Sequence, residues 1–328
     1  MVEIPDRFLE KNRHHVIPRF YLANFTNGGE RADGMLWRYE RGGGEPIPIH
    51  PNDASVIKHF YRAKDVDGEE HNVFEEHLRK LEDIAAPIIR AIVEDRRTPR
   101  AEEYASLSLF VASMHYRTAA LRDIFFGFGK SFIDKVVYKA AKDPIKWRQK
   151  IAEFQSQGFE LGGMDPEELR KWFLNRDNYT ISLNPGAAMS LYFKLLPQLA
   201  KQIASMDHTI IDARDDLQFL TSDNPVAIVD IGGETGKWKG DFDSSGAQIT
   251  LPLSSRFTFL ASWGGPVGFA SCDTFFKRHI NKRTACRASR YVFSPFRARF
   301  INRWLNELEP MIPKLEWPDE PGGRIRIT

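Results

Sequence analysis

Two changes of hydrophobic period constrain this chain more than any other feature. Before residue 72 the apolar residues fall in short, mixed clusters. From there Val73, Phe74, Leu78, Leu81, Ile84, Ala85, Ile88, Ile89 and Ile92 recur at three and four residues, the spacing of one helical face. Beyond residue 206 the period changes again, to short β-favouring runs at 209–213, 217–221, 226–231, 249–251 and 257–261. Helices gathered in one block and strands in another predict an α+β fold, with a helical layer packed on a mainly antiparallel sheet from the C-terminal third. The expectation is a single domain over 1–328. Its subregions are an N-terminal motif and hairpin (1–71), the helical layer (72–206), and the sheet with its closing helices (207–328).

Within the helical block, Pro87 is expected to kink or divide the first long helix. Thr98-Pro99 separates it from a helix over 101–122, whose buried stripe holds Leu107, Phe110, Met114 and Leu121. Further helices are expected at 131–141, 144–155, 166–175 and 185–205. Pro144, Pro166 and Pro185 each follow an Asp or Asn, which marks a helix start. Late helices are expected at 274–289 and 298–308. Near the N-terminus, strands at 35–39 and 46–49 flank the turn Gly42-Gly43-Gly44. Residues 65–70 read as an acidic loop and the tail from Pro310 as an extended wrap.

Composition narrows the function classes. A hydrophobic fraction of 42% and a charged fraction of 27% over 328 residues are those of a globular chain with a sizeable core. A net charge of +2 sets up no global field that calls for a polyanion. Cys272 and Cys286 match no zinc spacing; one disulfide between them is open, but two lone thiols of a reducing compartment are the expectation. The charged start gives the expectation of no signal peptide, and no run approaches the roughly 18 apolar residues of a membrane span. The expectation is a cytoplasmic protein without a membrane partner.

Several motifs can be set aside. Gly129-Lys130-Ser131 mimics the end of a phosphate-binding loop, but Ile124 stands where the earlier glycine is needed. Gly42-Gly43-Gly44 lacks the strand-to-helix setting of a dinucleotide site. His71, Glu75 and His77 do not share one helical face, and no His-Glu-x-x-His occurs.

What remains is a set of separate landmarks. The segment from Arg13 to Phe25 packs two histidines and several aromatics around Pro18, which suits the first turn of a short helix. His14 and His15 then lie in extended chain before it, and Tyr21 and Phe25 share a face. Arg117, three after Met114 and four before Leu121, falls on an apolar stripe. There it must meet a carboxylate or a bound anion, or reach water. Glu82 and Asp223 are the carboxylates considered for it. Thr221-Ser222-Asp223-Asn224-Pro225 follows an expected strand and places a carboxylate at a sheet rim, although Asp and Asn before Pro are also ordinary turn formers. Between Lys277 and Arg303 the chain is basic without an acid, and Arg283, Arg287 and Arg290 would line one helical face suited to phosphates. The plainer alternative is a solvated basic face.

These landmarks carry a resemblance. His15, Ile17, Pro18, Tyr21, Leu22 and Phe25 are similar to the opening motif of the bacterial family called domain of unknown function 4238. Ser222-Asp223-Asn224-Pro225 resembles its second motif, Pro252-Leu253-Ser254 its Pro-Leu-Ser strand, and Asn281 its late asparagine. Lys80-Leu81-Glu82 and Arg117-Thr118 also fit, with Ala119 where the family usually has Pro. The resemblance runs in pieces from 15 to 294 and implies no reaction.

The resulting expectation is a hydrolase, of nuclease or phosphodiesterase type, acting on a nucleic acid or nucleotide. His15 would be the general acid or base. Asp223 would orient it or hold a divalent metal, and Arg117 would bind phosphate. Tyr21, Asn224, Ser254, Asn281, Arg283 and Arg287 would contact substrate, with Glu82 in support. The alternative is a non-catalytic binding or sensor module in which the same polar cluster is structural.

Overall fold

The computed structural model describes residues 13–27, 34–58, 60–61, 63–64, 70–71, 73–158, 160–181, 183, 185–214, 218–231, 244–311, 315–316 and 326–327. The chain opens with β1 (Arg13–His15) and the short α1 (Arg19–Ala23), then β2 (Leu36–Glu40), β3 (Ile47–Ile49) and β4 (Val56–Lys58). The two-residue strands β5 (Ala63–Lys64) and β6 (Glu70–His71) lead into the helices. These are α2 (Val73–Val93), α3 (Ala101–Tyr116), α4 (Ala119–Lys142), α5 (Pro144–Ser156), α6 (Pro166–Leu174) and α7 (Pro185–Ala204). Strands β7 (Asp207–Asp212), β8 (Thr221–Ser222), β9 (Ala227–Asp230), β10 (Ala247–Pro252), β11 (Phe257–Ser262) and β12 (Gly268–Ser271) follow. Helix α8 (Thr274–Arg287), β13 (Tyr291–Ser294), α9 (Arg299–Glu307) and the pair β14 (Leu315–Glu316) and β15 (Arg326–Ile327) complete the order.

The protein is α+β. One sheet has five strands in the order β12-β7-β11-β10-β9, antiparallel throughout except for the parallel edge pair β12 and β7. A second has the antiparallel order β3-β2-β13-β8 and so joins the two ends of the chain. β1 pairs antiparallel with β4, with His15 opposite Val56. One apolar cluster holds Ile17, Tyr21, Leu22 and Phe25 of the opening segment together with Ile89, Phe110, Leu199, Ile210 and Phe259. The helical layer and the five-stranded sheet therefore meet around the opening segment.

Local chemistry explains most element ends. Asp143 and Asp165 each accept two backbone N–H groups at the start of α5 and α6, with Pro in the first turn. Several boundaries differ from the expectation. The expected helix 101–122 ends at Tyr116, because Thr118 leaves helical geometry and its hydroxyl accepts the N–H of Leu121. Arg117 is thus the C-terminal cap of α3, and α4 runs on to Lys142 through the expected 131–141. The expected strand 217–221 narrows to β8, because the Asn281 amide takes the Leu220 N–H and the Gln218 carbonyl where a neighbouring strand would. Helix α8 stops at Arg287, because Asp223 collects the N–H groups of Ser289, Arg290 and Tyr291. Arg290 therefore lies beyond the helix face expected to carry it. Pro87 sits inside α2, exposed, where its missing N–H faces solvent, and the expected division does not occur. β12 and β13 carried no expectation. Of the expected acidic loop only Glu70 lies among the described residues, and most of the tail from Pro310 lies outside them.

Candidate functional site

The opening segment is held from both sides. Val16 N–H donates to the Ser55 carbonyl at 2.9 Å, and Ile17 N–H donates to the Ser55 hydroxyl at 3.3 Å. Pro18 starts α1, which turns Tyr21 into the core with its ring 5.3 Å from that of Phe25. The buried Tyr21 hydroxyl meets Thr221 Oγ1 at 2.8 Å and donates to the Pro252 carbonyl at 2.6 Å. Burial pushes its pKa far above the usual phenol range. Asn24 donates from Nδ2 to the Leu253 carbonyl at 3.0 Å, and its own carbonyl accepts from Ser255 N–H at 3.1 Å. The opening segment, the Thr221-Ser222-Asp223 turn and the Pro252-Leu253-Ser254 strand therefore meet through Tyr21 and Asn24.

His14 and Arg117 form the polar centre behind this segment. His14 is buried, its Nδ1 accepts the Tyr61 N–H at 2.9 Å, and its ring stacks on Tyr61. The Nδ1 role leaves the proton on Nε2, which lies 3.6 Å from Glu75. Arg117 is 3% exposed. Its Nη1 pairs with Glu82 at 2.6 Å, Nη2 donates to the His15 carbonyl at 2.9 Å, and Nε donates to the Tyr61 hydroxyl at 3.2 Å. Burial opposes the charge, but Tyr61 and Glu82 outweigh it, so Arg117 stays fully ionised. Of the two carboxylates considered for Arg117, Glu82 is the partner.

His15 itself turns its ring to the 50–55 turn, where Nε2 meets the Asn52 carbonyl at 3.0 Å. A carbonyl only accepts, so the proton sits on that nitrogen. His15 thereby fixes the turn that carries His50 and Pro51. Asp223 stands elsewhere. Its carboxylate accepts three backbone N–H groups at 2.8–3.1 Å, yet burial dominates and pushes its pKa up to about 6. Among the described residues none of its contacts reaches His15 or Arg117.

The other expected site residues divide into internal struts and groups without partners. Ser254 Oγ accepts the Arg256 and Phe257 N–H groups in a tight turn. Asn281 holds the strand end before Asp223, as described. Arg283 donates to Gln248 at 2.9 Å and is half-buried, and Arg287 is buried. Lys277, in the same helix, is buried with Nζ on the Ala213 carbonyl at 2.8 Å. Lys277 and Arg287 of α8 thus point inward, Arg283 is half-buried, and only Arg278 and Lys282 are exposed, so the expected face of Arg283, Arg287 and Arg290 does not form one solvent-facing surface. Asn224 is fully buried, and its amide has no hydrogen-bond partner among the described residues.

A cavity of about 430 Å³ opens in front of the Arg117–Glu82 pair. Phe20, Ala23, Pro51, Ala86 and Ile89 give it an apolar wall. Arg19, Arg90, His50, Asn24 and Glu82 supply the polar groups. Arg19, at the start of α1, and Arg90, in the last turn of α2, are both exposed. Neither forms an ion pair among the described residues, while Glu82 is taken up by Arg117. The lining is therefore net positive. His50 Nδ1 accepts the Asn52 N–H at 3.2 Å, which leaves its Nε2 as the proton-bearing nitrogen. Of these only Glu82 stands out in the sequence, because the cavity is assembled from α1, the 50–55 turn and α2. Among the described residues, no group of three or more His, Cys, Asp or Glu side chains is placed to hold a metal ion. None of the described helices is long and apolar enough to cross a membrane.

The chain belongs to the family described as "Protein of unknown function (DUF4238)", whose match covers residues 13–296. No curated protein and no solved structure matches it.

Proposed function

We propose that the protein binds a small phosphate-containing ligand, of nucleotide size, in the cavity between α1, the 50–55 turn and α2. The observation that carries this reading is the pair of guanidinium groups, Arg19 and Arg90, without an ion pair among the described residues, on one apolar-walled cavity whose only carboxylate among those residues, Glu82, is already paired. Guanidinium forks match phosphate oxygens, and a wall with Phe20 and Ile89 suits an apolar ring or base. A volume of about 430 Å³ is that of a small-molecule site and excludes a duplex. The polar residues of the motifs then act as the frame. Tyr21, Asn281, Ser254 and Asp223 are satisfied inside the protein, as expected of a binding or sensor module.

Hydrolysis is the second reading, favoured by Glu82 and His50 on the same wall. Glu82 would take the proton of a water attacking phosphorus and pass it to the leaving oxygen, while His50 Nε2–H would donate a hydrogen bond to a phosphate oxygen. His15 would position His50 through Asn52 and not touch substrate. The cytoplasmic location attached to both readings rests on the two free thiols, Cys272 and Cys286. Thermal-shift screening against mononucleotides and sugar phosphates tests the primary reading. A saturable rise in wild type, lost in Arg19→Ala/Arg90→Ala, is expected, and a rise unaffected by the double change would refute it. Turnover of a bound ligand, lost in Glu82→Gln with affinity kept, would establish the second.

A further inference from the structure

The last turn of α8 holds a buried cation with its strongest binding edge unused. Arg287 is 4% exposed, and its Nη1 donates to the Met311 carbonyl at 2.6 Å. Its Nε and Nη2 have no hydrogen-bond partner among the described residues. Those two N–H groups form the side-on fork of a guanidinium, which grips two oxygens at once. Other arginines of the protein set that fork on a carboxylate, while Arg117 sets it on the Tyr61 hydroxyl and the His15 carbonyl. Arg256 sets Nε and Nη2 on Asp212 at 2.9 and 3.2 Å, and Arg170 sets Nε and Nη2 on Glu167 at 2.9 and 2.7 Å.

Among the described residues the surroundings supply no counter-charge. Arg287 forms no ion pair among the described residues. Burial alone pulls its pKa down to about 10, so it stays charged at neutral pH. Its place in the final turn of α8 suits the helix dipole, but a dipole along the axis does not fill a fork directed to the side. Burial and then the charge of Arg287 hold the nearby His115 imidazole at about 3, so His115 is neutral, and its Nδ1 is also without a partner. Asn224 and Ser289 border the same turn, joined by Asp223, whose Oδ1 accepts the Ser289 N–H at 2.9 Å. The Asn224 amide and the Ser289 hydroxyl are likewise buried and without partners among the described residues. Natural proteins rarely leave several buried polar groups unsatisfied in one region.

We infer that the Arg287 fork, beside His115 and the Asn224–Ser289 turn, is an internal oxyanion site, separate from the cavity of Arg19 and Arg90. The ligand class is a pair of oxygens sharing one negative charge, the chemistry common to a carboxylate and a phosphate. The site is enclosed, so its anion enters with folding and leaves slowly.

Two measurements on the full chain test this. Thermal midpoints are recorded in inorganic phosphate and in acetate against chloride at equal ionic strength, for wild type, Arg19→Ala/Arg90→Ala and Arg287→Lys. Lysine keeps the charge but cannot fork. At a hundredfold excess over Kd, one of the two anions should raise the midpoint by roughly 5 °C in wild type and in the double variant, and not in Arg287→Lys. Which anion acts identifies the source. An Arg287→Lys response equal to wild type, or loss of the response in the double variant alone, overturns the site. If Arg287→Lys does not fold, ion chromatography of anions released by heat from wild type decides. About one phosphate or carboxylate per chain supports the site, and release well below that refutes it.

Discussion

The guanidinium of Arg117, at the end of α3, meets the carboxylate of Glu82 on α2 at 2.6 Å and the carbonyl of His15 at 2.9 Å. Three segments far apart in sequence are thus tied at one buried cation behind the cavity. Glu82→Ala leaves that cation without an anion and should destabilise the protein by about 3 kcal/mol. Glu82→Gln, which keeps a carbonyl acceptor, should cost clearly less. Urea unfolding of both variants checks this, and equal costs would show that the charge of Glu82 does not matter there.

Tyr21→Phe removes the hydroxyl that joins Thr221 and Pro252. The Pro252 carbonyl and the Thr221 hydroxyl are left buried, at an expected cost of about 1–3 kcal/mol. Ligand affinity should be unchanged once the folded fraction is accounted for. A loss of affinity with intact stability would make Tyr21 a binding residue.

Asp223 gives a pH signature. Its folded pKa, about 6, lies above the unfolded value. Its contribution to stability is therefore fully present below the unfolded pKa near 4 and is lost as pH rises through about 6. Wild type should gain on Asp223→Asn by roughly 2–3 kcal/mol between pH 7 and pH 4. A difference that is flat with pH, or that shrinks toward pH 4, would contradict burial as the dominant influence.

His115 has the opposite sign. Burial and Arg287 depress its folded pKa to about 3. The stability it lends is fully present above the unfolded pKa near 6.5 and declines as pH falls toward 3. Its imidazole resonances in NMR should stay those of the neutral ring at pH 5. A titration midpoint near 6.5 would place His115 in water.

The fold was legible where the chemistry is local. Asp143-Pro144 and Asp165-Pro166 announce helix starts because cap and proline lie side by side. The break at Thr118 was hidden, since Met114 and Leu121 continue one apolar stripe across it. The stripe shows that Arg117 needs a partner but leaves Glu82 and Asp223 open, a choice made only by how α2 packs on α3. The short β12 and β13 lack a run long enough to declare a strand, and their neighbours in the sheets come from distant segments. Arg19 and Arg90 look like ordinary surface arginines in sequence. Only the docking of α1 against α2 brings them to one cavity.

The decisive measurement is a crystal structure of the protein with its tightest-binding mononucleotide or sugar phosphate. Phosphate oxygens are expected within about 3 Å of both Arg19 and Arg90, with the rest of the ligand against Phe20 and Ile89. A phosphate seated away from both arginines, at the Asp223 turn or on the outer face of α8, would contradict the proposed site.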